Sequence, residues 1–265
     1  MSKKKSSQPG RSKMELDWAH ESFRDTFDWY ILKGYRYLIG CRLVLSDYYG
    51  PLIPYVSEGY FRRGFKILLV AQHTGRWNKL GESVNSRVLY DELKSISKEI
   101  MDDHINTGTP LGDFFLRLNS ILGNGKELQF VWTNLLKIHQ NGKIPEEENL
   151  TFSKVFLPIL TVLESEITEL EPDVVLFLHH AENDKHVKRA LQLSPDTKFN
   201  AVNDYSLQEF MHFKLTQDID GFKHFTLDHI DCYRLPHPDY LHEKQLTDKY
   251  FSDLKVIIQR HMAEK

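Results

Sequence analysis

A chain of 265 residues with 41% hydrophobic content can bury a large core, and its formal net charge of −3 gives no overall basic field to attract nucleic acid. Two cysteines, Cys41 and Cys232, lack CxxC spacing, which excludes a disulfide framework and the usual zinc and iron–sulfur motifs and makes a reducing cytoplasm the simplest compartment. No apolar run approaches the roughly 20 residues of a membrane helix, and no apolar segment follows the amino-terminal charges, so a soluble, unexported protein is expected.

Residues 1–13, MSKKKSSQPGRSK, are basic and polar and are expected to form a disordered tail. Residues 14–63 are rich in aromatics, with Trp18, Phe23, Phe27 and Tyr30 at near-helical spacing, and are read as an added helical layer. A buried strand follows in Lys66-Ile67-Leu68-Leu69-Val70-Ala71, which stops at the polar turn Gln72-His73-Thr74-Gly75-Arg76-Trp77. Two amphipathic helices come next, carried by Val84 to Ile100 and, after Pro110, by Leu111 to Leu122. The second strand is Leu128 to Trp132, running into Thr133-Asn134-Leu135-Leu136-Lys137. A third helix between Thr151 and Leu170 feeds the strand Asp173 to Leu178, which ends at His179-His180. Helical character near 182–193 precedes a strand-rich stretch from Phe222 to Tyr233. A last helix carries Leu246, Tyr250, Phe251, Leu254 and Ile257.

Strands alternating with helices predict an α/β fold, a three-layer α/β/α domain over 64–265 with a four-stranded, mainly parallel sheet and the N-terminal helical region added to it. The four strand ends would deliver Gln72 and His73, Asn134, His179 and His180, and His237 to one rim, where open parallel sheets place their chemistry. Each residue also has a plainer reading. His73 suits a solvated loop, Asn134 suits a strand end that satisfies backbone groups, and Pro236-His237-Pro238 suits a rigid turn. His179, His180 and His186 have no Asp, Glu or Cys at a recognised metal-motif spacing, so no metal and no cofactor are expected. Neither G-x-S-x-G nor a P-loop is present.

The series Val70-Ala71-Gln72-His73, Val131-Trp132-Thr133-Asn134, Phe177-Leu178-His179 and Leu235-Pro236-His237-Pro238, each after a strand, resembles the uracil-DNA glycosylase superfamily. In particular it is similar to bacterial members whose first motif reads G-Q-E-T-N-G-W, which Gln72, Thr74 and Trp77 echo. The resemblance spans about residues 64–262. It implies a monofunctional, cofactor-free DNA glycosylase that flips a base and hydrolyses its glycosidic bond, in DNA repair or in defence against phage DNA. His237 would donate to the departing base, while Gln72, Asn134, His179 and Trp77 would bind it, with Tyr90 a second stacking candidate. The chain departs from the pattern at His73, where the family carries Asp, Asn or Glu, and at Asp239, where it carries Ser. A neutral imidazole at 73 positions water but does not supply a carboxylate's charge, which makes a modified base as fitting a substrate as uracil. The implied partner is DNA, single- or double-stranded. The alternative is a catalytically silent protein that binds nucleic acid or a free nucleobase with the same fold.

Overall fold

A computed structural model describes residues 48–49, 52–61, 64–73, 86–123, 128–137, 139–140, 160, 162–194, 196–218 and 226–265. The tail at 1–13, most of the aromatic layer at 14–63, Trp77 and the start of the third helix at 151–159 lie outside the described residues.

The strands are β1 (Tyr48–Tyr49), β2 (Ile67–His73), β3 (Phe130–Leu136), β4 (His139–Gln140), β5 (Val174–Leu178), β6 (Asn200–Ala201), β7 (Met211–Asp218) and β8 (Thr226–Leu235). The helices are α1 (Glu58–Phe61), α2 (Ser86–Asn106), α3 (Pro110–Ile121), α4 (Val162–Leu170), α5 (Asp184–Ala190), α6 (Pro238–Glu243) and α7 (Thr247–Glu264). The main sheet runs β3-β2-β5-β8-β7-β6. Its first four strands are parallel; β7 pairs antiparallel with β8, and β6 pairs antiparallel with β7.

Six strands stand where four were expected. The four expected strands make up the parallel part; the two additional ones, β6 and β7, form its antiparallel edge. The alternation Met211-His212-Phe213-Lys214-Leu215 is that of a strand buried on one face, and β7 pairs along its length with β8. In the parallel part, every residue of β3 and β5 is buried, as covered parallel strands require.

Helices lie against both faces of the sheet, each with its own apolar cluster. Leu68, Val70, Val131, Val175, Phe177 and Phe213 pack with Leu163 and Ile167 of α4 and Val187 of α5. Ile67, Leu69, Ala71, Trp132, Leu176 and Leu178 pack with Met101 of α2, Phe115 and Leu118 of α3, Leu241 of α6 and Leu254 and Ile258 of α7. From the segment preceding β2, Leu52 joins this second cluster, whereas Ile53, Val56 and Tyr60 join the first. The Tyr60 hydroxyl donates to the Leu170 carbonyl at 3.1 Å.

The strand order fixes where a ligand can enter. From β2 the chain crosses to β3 on one side through α2 and α3, then returns past β2 to β5 through α4 on the other face. This reversal makes the carboxyl ends of β2 and β5 the topological switch point of the sheet, where open α/β sheets bind their ligands. At the opposite end Asp173 closes the sheet by accepting the Lys66 backbone N–H at 2.6 Å and the Lys265 ammonium at 2.6 Å.

Candidate active site

Two successive residues of β3 set the terms of the site. Strand alternation sends Thr133 and Asn134 to opposite faces, and both are fully buried. Thr133 faces α4, where its hydroxyl donates to Glu166 at 3.0 Å and also receives a hydrogen bond from the Lys137 ammonium. Lys137 lies 2.6 and 2.7 Å from the two Glu166 oxygens. Burial pulls the Lys137 pKa down and pushes the Glu166 carboxyl up, and each charge opposes the other's shift. All three side chains are thus paired among themselves.

Asn134 turns the other way. It stands opposite Ala71 of β2, whose small side chain belongs to the same cluster as Trp132 and Leu178. Neither its Oδ1 nor its Nδ2 has a hydrogen-bond partner among the described residues. A buried amide left in this state costs roughly 1–3 kcal/mol, so a ligand that pairs with it recovers a sizeable free energy.

His237 caps α6, whose first residue is Pro238, a position where proline's missing N–H costs nothing. Its Nδ1 accepts the Asp239 backbone N–H at 3.3 Å, so in the neutral ring the proton sits on Nε2 and that nitrogen is a donor. Burial lowers its pKa, the Asp239 carboxylate raises it, and His180 and His104 lower it further. These three histidines therefore gather on the side of the sheet that carries Asn134. His180 is exposed and meets Tyr240 edge-on, with ring centroids 5.5 Å apart.

The other expected site residues are spread more widely. Gln72, next to last in β2, is partly exposed, and the His73 backbone ends that strand opposite Leu136. The Trp77 position lies outside the described residues. His179 is brought to the rim by β5, but its ring packs on Phe177 at 5.9 Å, on the face opposite Asn134. There it is fully buried, its Nδ1 donates to the His180 carbonyl at 2.9 Å, and its Nε2 has no partner among the described residues. Desolvation pushes its pKa down to about 3, opposed by that backbone hydrogen bond.

Behind His179 stands Arg234, 1% exposed, whose guanidinium donates to the carbonyls of Leu207, Gln208 and Glu209 and faces Asp184 at 3.3 Å. This arrangement fastens the segment before β7. The structure thus brings Asn134 and His237 to one side together with His180, which the sequence had also carried to the rim, and with His104 and Tyr240 as neighbours that sequence reading had not placed there. Consecutive His179 and His180 gave a usable signal, two polar residues after a buried strand, without saying which faces which way. His104 gave none beyond its place at the end of an amphipathic helix.

Among the described residues, no three His, Cys, Asp or Glu side chains come together in a group that could hold a metal ion. No helix among them is long and apolar enough to cross a membrane. No family model matches the chain, and no curated protein matches its sequence.

Proposed function

We propose that this chain is a cytoplasmic DNA glycosylase of the uracil-DNA glycosylase-like type, a three-layer α/β/α enzyme acting on an extruded uracil-like, damaged or modified base. The observation that carries the reading is the Asn134 amide, fully buried and unpaired among the described residues, on the sheet face from which His237 also works. An amide offers one donor and one acceptor side by side, which complements the edge of a nucleobase. In the reaction water attacks C1′ of the deoxyribose and the bond from C1′ to the base nitrogen breaks. The bonding pair leaves with the base, which then takes up a proton, and the sugar keeps the hydroxyl. His237 assists through its Nε2–H, whose hydrogen bond strengthens as negative charge grows on the departing base. His73, at the end of β2, is the position from which water is oriented. Gln72 and Trp77 complete the expected base-binding set, whereas the His179 ring lies on the opposite face of the sheet. No metal or redox cofactor enters this scheme.

The reading is tested by incubating the purified full-length chain with oligonucleotides that carry uracil, damaged bases or phage-type modified cytosines, and scoring alkali-labile abasic sites. Base release from at least one of them is expected, and His237→Ala should lower it by roughly 100- to 1,000-fold with the fold intact. Binding without release on any substrate would replace the enzyme by a silent nucleobase- or nucleic-acid-binding protein of the same fold. Neither binding nor release would overturn both.

A further inference from the structure

His179, set apart from Asn134 by the sheet itself, is tied to the His237 turn through both its backbone and its ring. Its N–H donates at 3.1 Å to the carbonyl of Leu235, the last residue of β8, two positions before His237. Its ring Nδ1 lies 2.9 Å from the His180 carbonyl oxygen, which can only accept, so the proton of the neutral ring sits on Nδ1. One Asp184 oxygen, 3.8 Å from the same nitrogen, favours that tautomer, and Arg234 Nε faces this oxygen at 3.3 Å. Burial pushes the His179 pKa down to about 3, so the ring stays a neutral donor at neutral pH.

The His180 carbonyl takes a second hydrogen bond, from the Asn183 N–H at 2.9 Å, which closes the turn Ala181–Asn183. Two donors on one oxygen fix the His180 peptide, and with it the position from which the exposed His180 ring meets Tyr240, edge-on at 5.5 Å between centroids. Tyr240 stands in the first turn of α6, the helix that His237 caps, and the Leu241 N–H of that turn donates to the His237 carbonyl at 3.1 Å. The turns after β5 and β8 are therefore joined at two places, His179 N–H on Leu235 and His180 on Tyr240.

We propose that His179 is a positioning residue for His237: its Nδ1–H sets the turn that carries His180, and His180 against Tyr240 holds α6 and its His237 cap in place. This rests on the reading of His237 as the group that donates to the departing base. The two consecutive histidines divide the work, one fixing the turn from beneath the sheet and the other bearing on α6 from the rim.

The test compares His179→Leu, which fills the ring's place without a donor, with His179→Asn, whose Nδ2–H falls close to where the ring Nδ1–H stood, both in the full-length chain and with unfolding midpoints recorded. In His179→Leu, kcat for base release from the best substrate should fall about tenfold, the scale of one hydrogen bond, with KM within about twofold of the parent's. His179→Asn should recover most of that loss. Long-range proton–nitrogen NMR should show the His237 ring as the Nε2–H tautomer in the parent and in His179→Asn, and shifted or tautomer-averaged in His179→Leu. The His212 ring, held at 2.6 Å by Asp231, which pairs with the first residue of β5, should stay unchanged in all three. A folded His179→Leu protein with parent His237 signals and parent kcat overturns the inference, and so do equal losses in the two variants, which would assign the effect to packing rather than to the donor. If no substrate is cleaved by the parent while the His237 signals move in His179→Leu and return in His179→Asn, the positioning role stands and the glycosylase reading falls.

Discussion

Thr133 and Asn134 are neighbours in one strand, equally buried, and they differ in what their polar atoms meet. On the Thr133 side, hydroxyl, ammonium and carboxylate close on one another within a single network. On the Asn134 side a whole amide lacks a partner among the described residues. A closed buried network resists substitution because opening it strands a charge, whereas an open polar group costs stability until something binds. The contrast separates a closed polar network from an open polar group on the two faces of the same sheet.

The largest effect should come from opening the closed side. Lys137→Met leaves Glu166 buried without its cation and should cost about 3–5 kcal/mol in denaturant unfolding. Adding Glu166→Leu should restore most of that loss. A cost below about 1 kcal/mol for the single variant would show that the pair does not hold the fold as described.

The pH dependence sharpens the comparison from His179, which is buried but lies behind the site. Its folded pKa of about 3 is below the ordinary 6.5, so between those values the unfolded chain holds a proton that the folded chain lacks. Its contribution is complete above about pH 6.5 and is lost progressively as pH falls toward 3. His179→Leu should flatten the acid limb of the stability profile by up to one proton, most clearly in the lower half of that window. An unchanged limb would place His179 in a solvated setting instead.

The smallest effects make the most direct contrast. Thr133→Val should lower stability by about 1–3 kcal/mol, because it leaves part of the Lys137 and Glu166 pairing unmet. Asn134→Leu, one residue away, should be neutral or stabilising by up to about 1 kcal/mol, since it removes a buried group with no partner among the described residues. Equal losses in both variants, measured by thermal unfolding, would erase the distinction between the two faces.

The parallel strands were legible because β2, β3 and β5 are short aliphatic runs that stop at polar turns, a pattern that covered strands produce by themselves. β7 was passed over because its apolar residues alternate with His212 and Lys214, so its identity depends on pairing with β8 rather than on its own composition. Helix α6 was hidden by the two prolines around His237, although Pro238 suits a first turn. In the site, Asn134 and His237 could be singled out because both follow apolar strand sequence. Nothing in the local sequence brings His104 into the electrostatic neighbourhood of His237, since that depends on how α2 crosses the sheet. The direction of His179, by contrast, follows the alternation of β5, since its ring shares the face of Phe177 two residues before it.

The central claim, that Asn134 is open because it serves a ligand, is tested most directly by measuring base release from the substrate that the wild-type chain cleaves best, side by side with Asn134→Ala. The account expects the variant to stay folded, with an unfolding midpoint at or near that of the parent, while base release falls by roughly 100-fold, the scale set by losing a buried hydrogen-bonding partner of the reacting group. A folded Asn134→Ala protein that releases the base at the parent rate would contradict it.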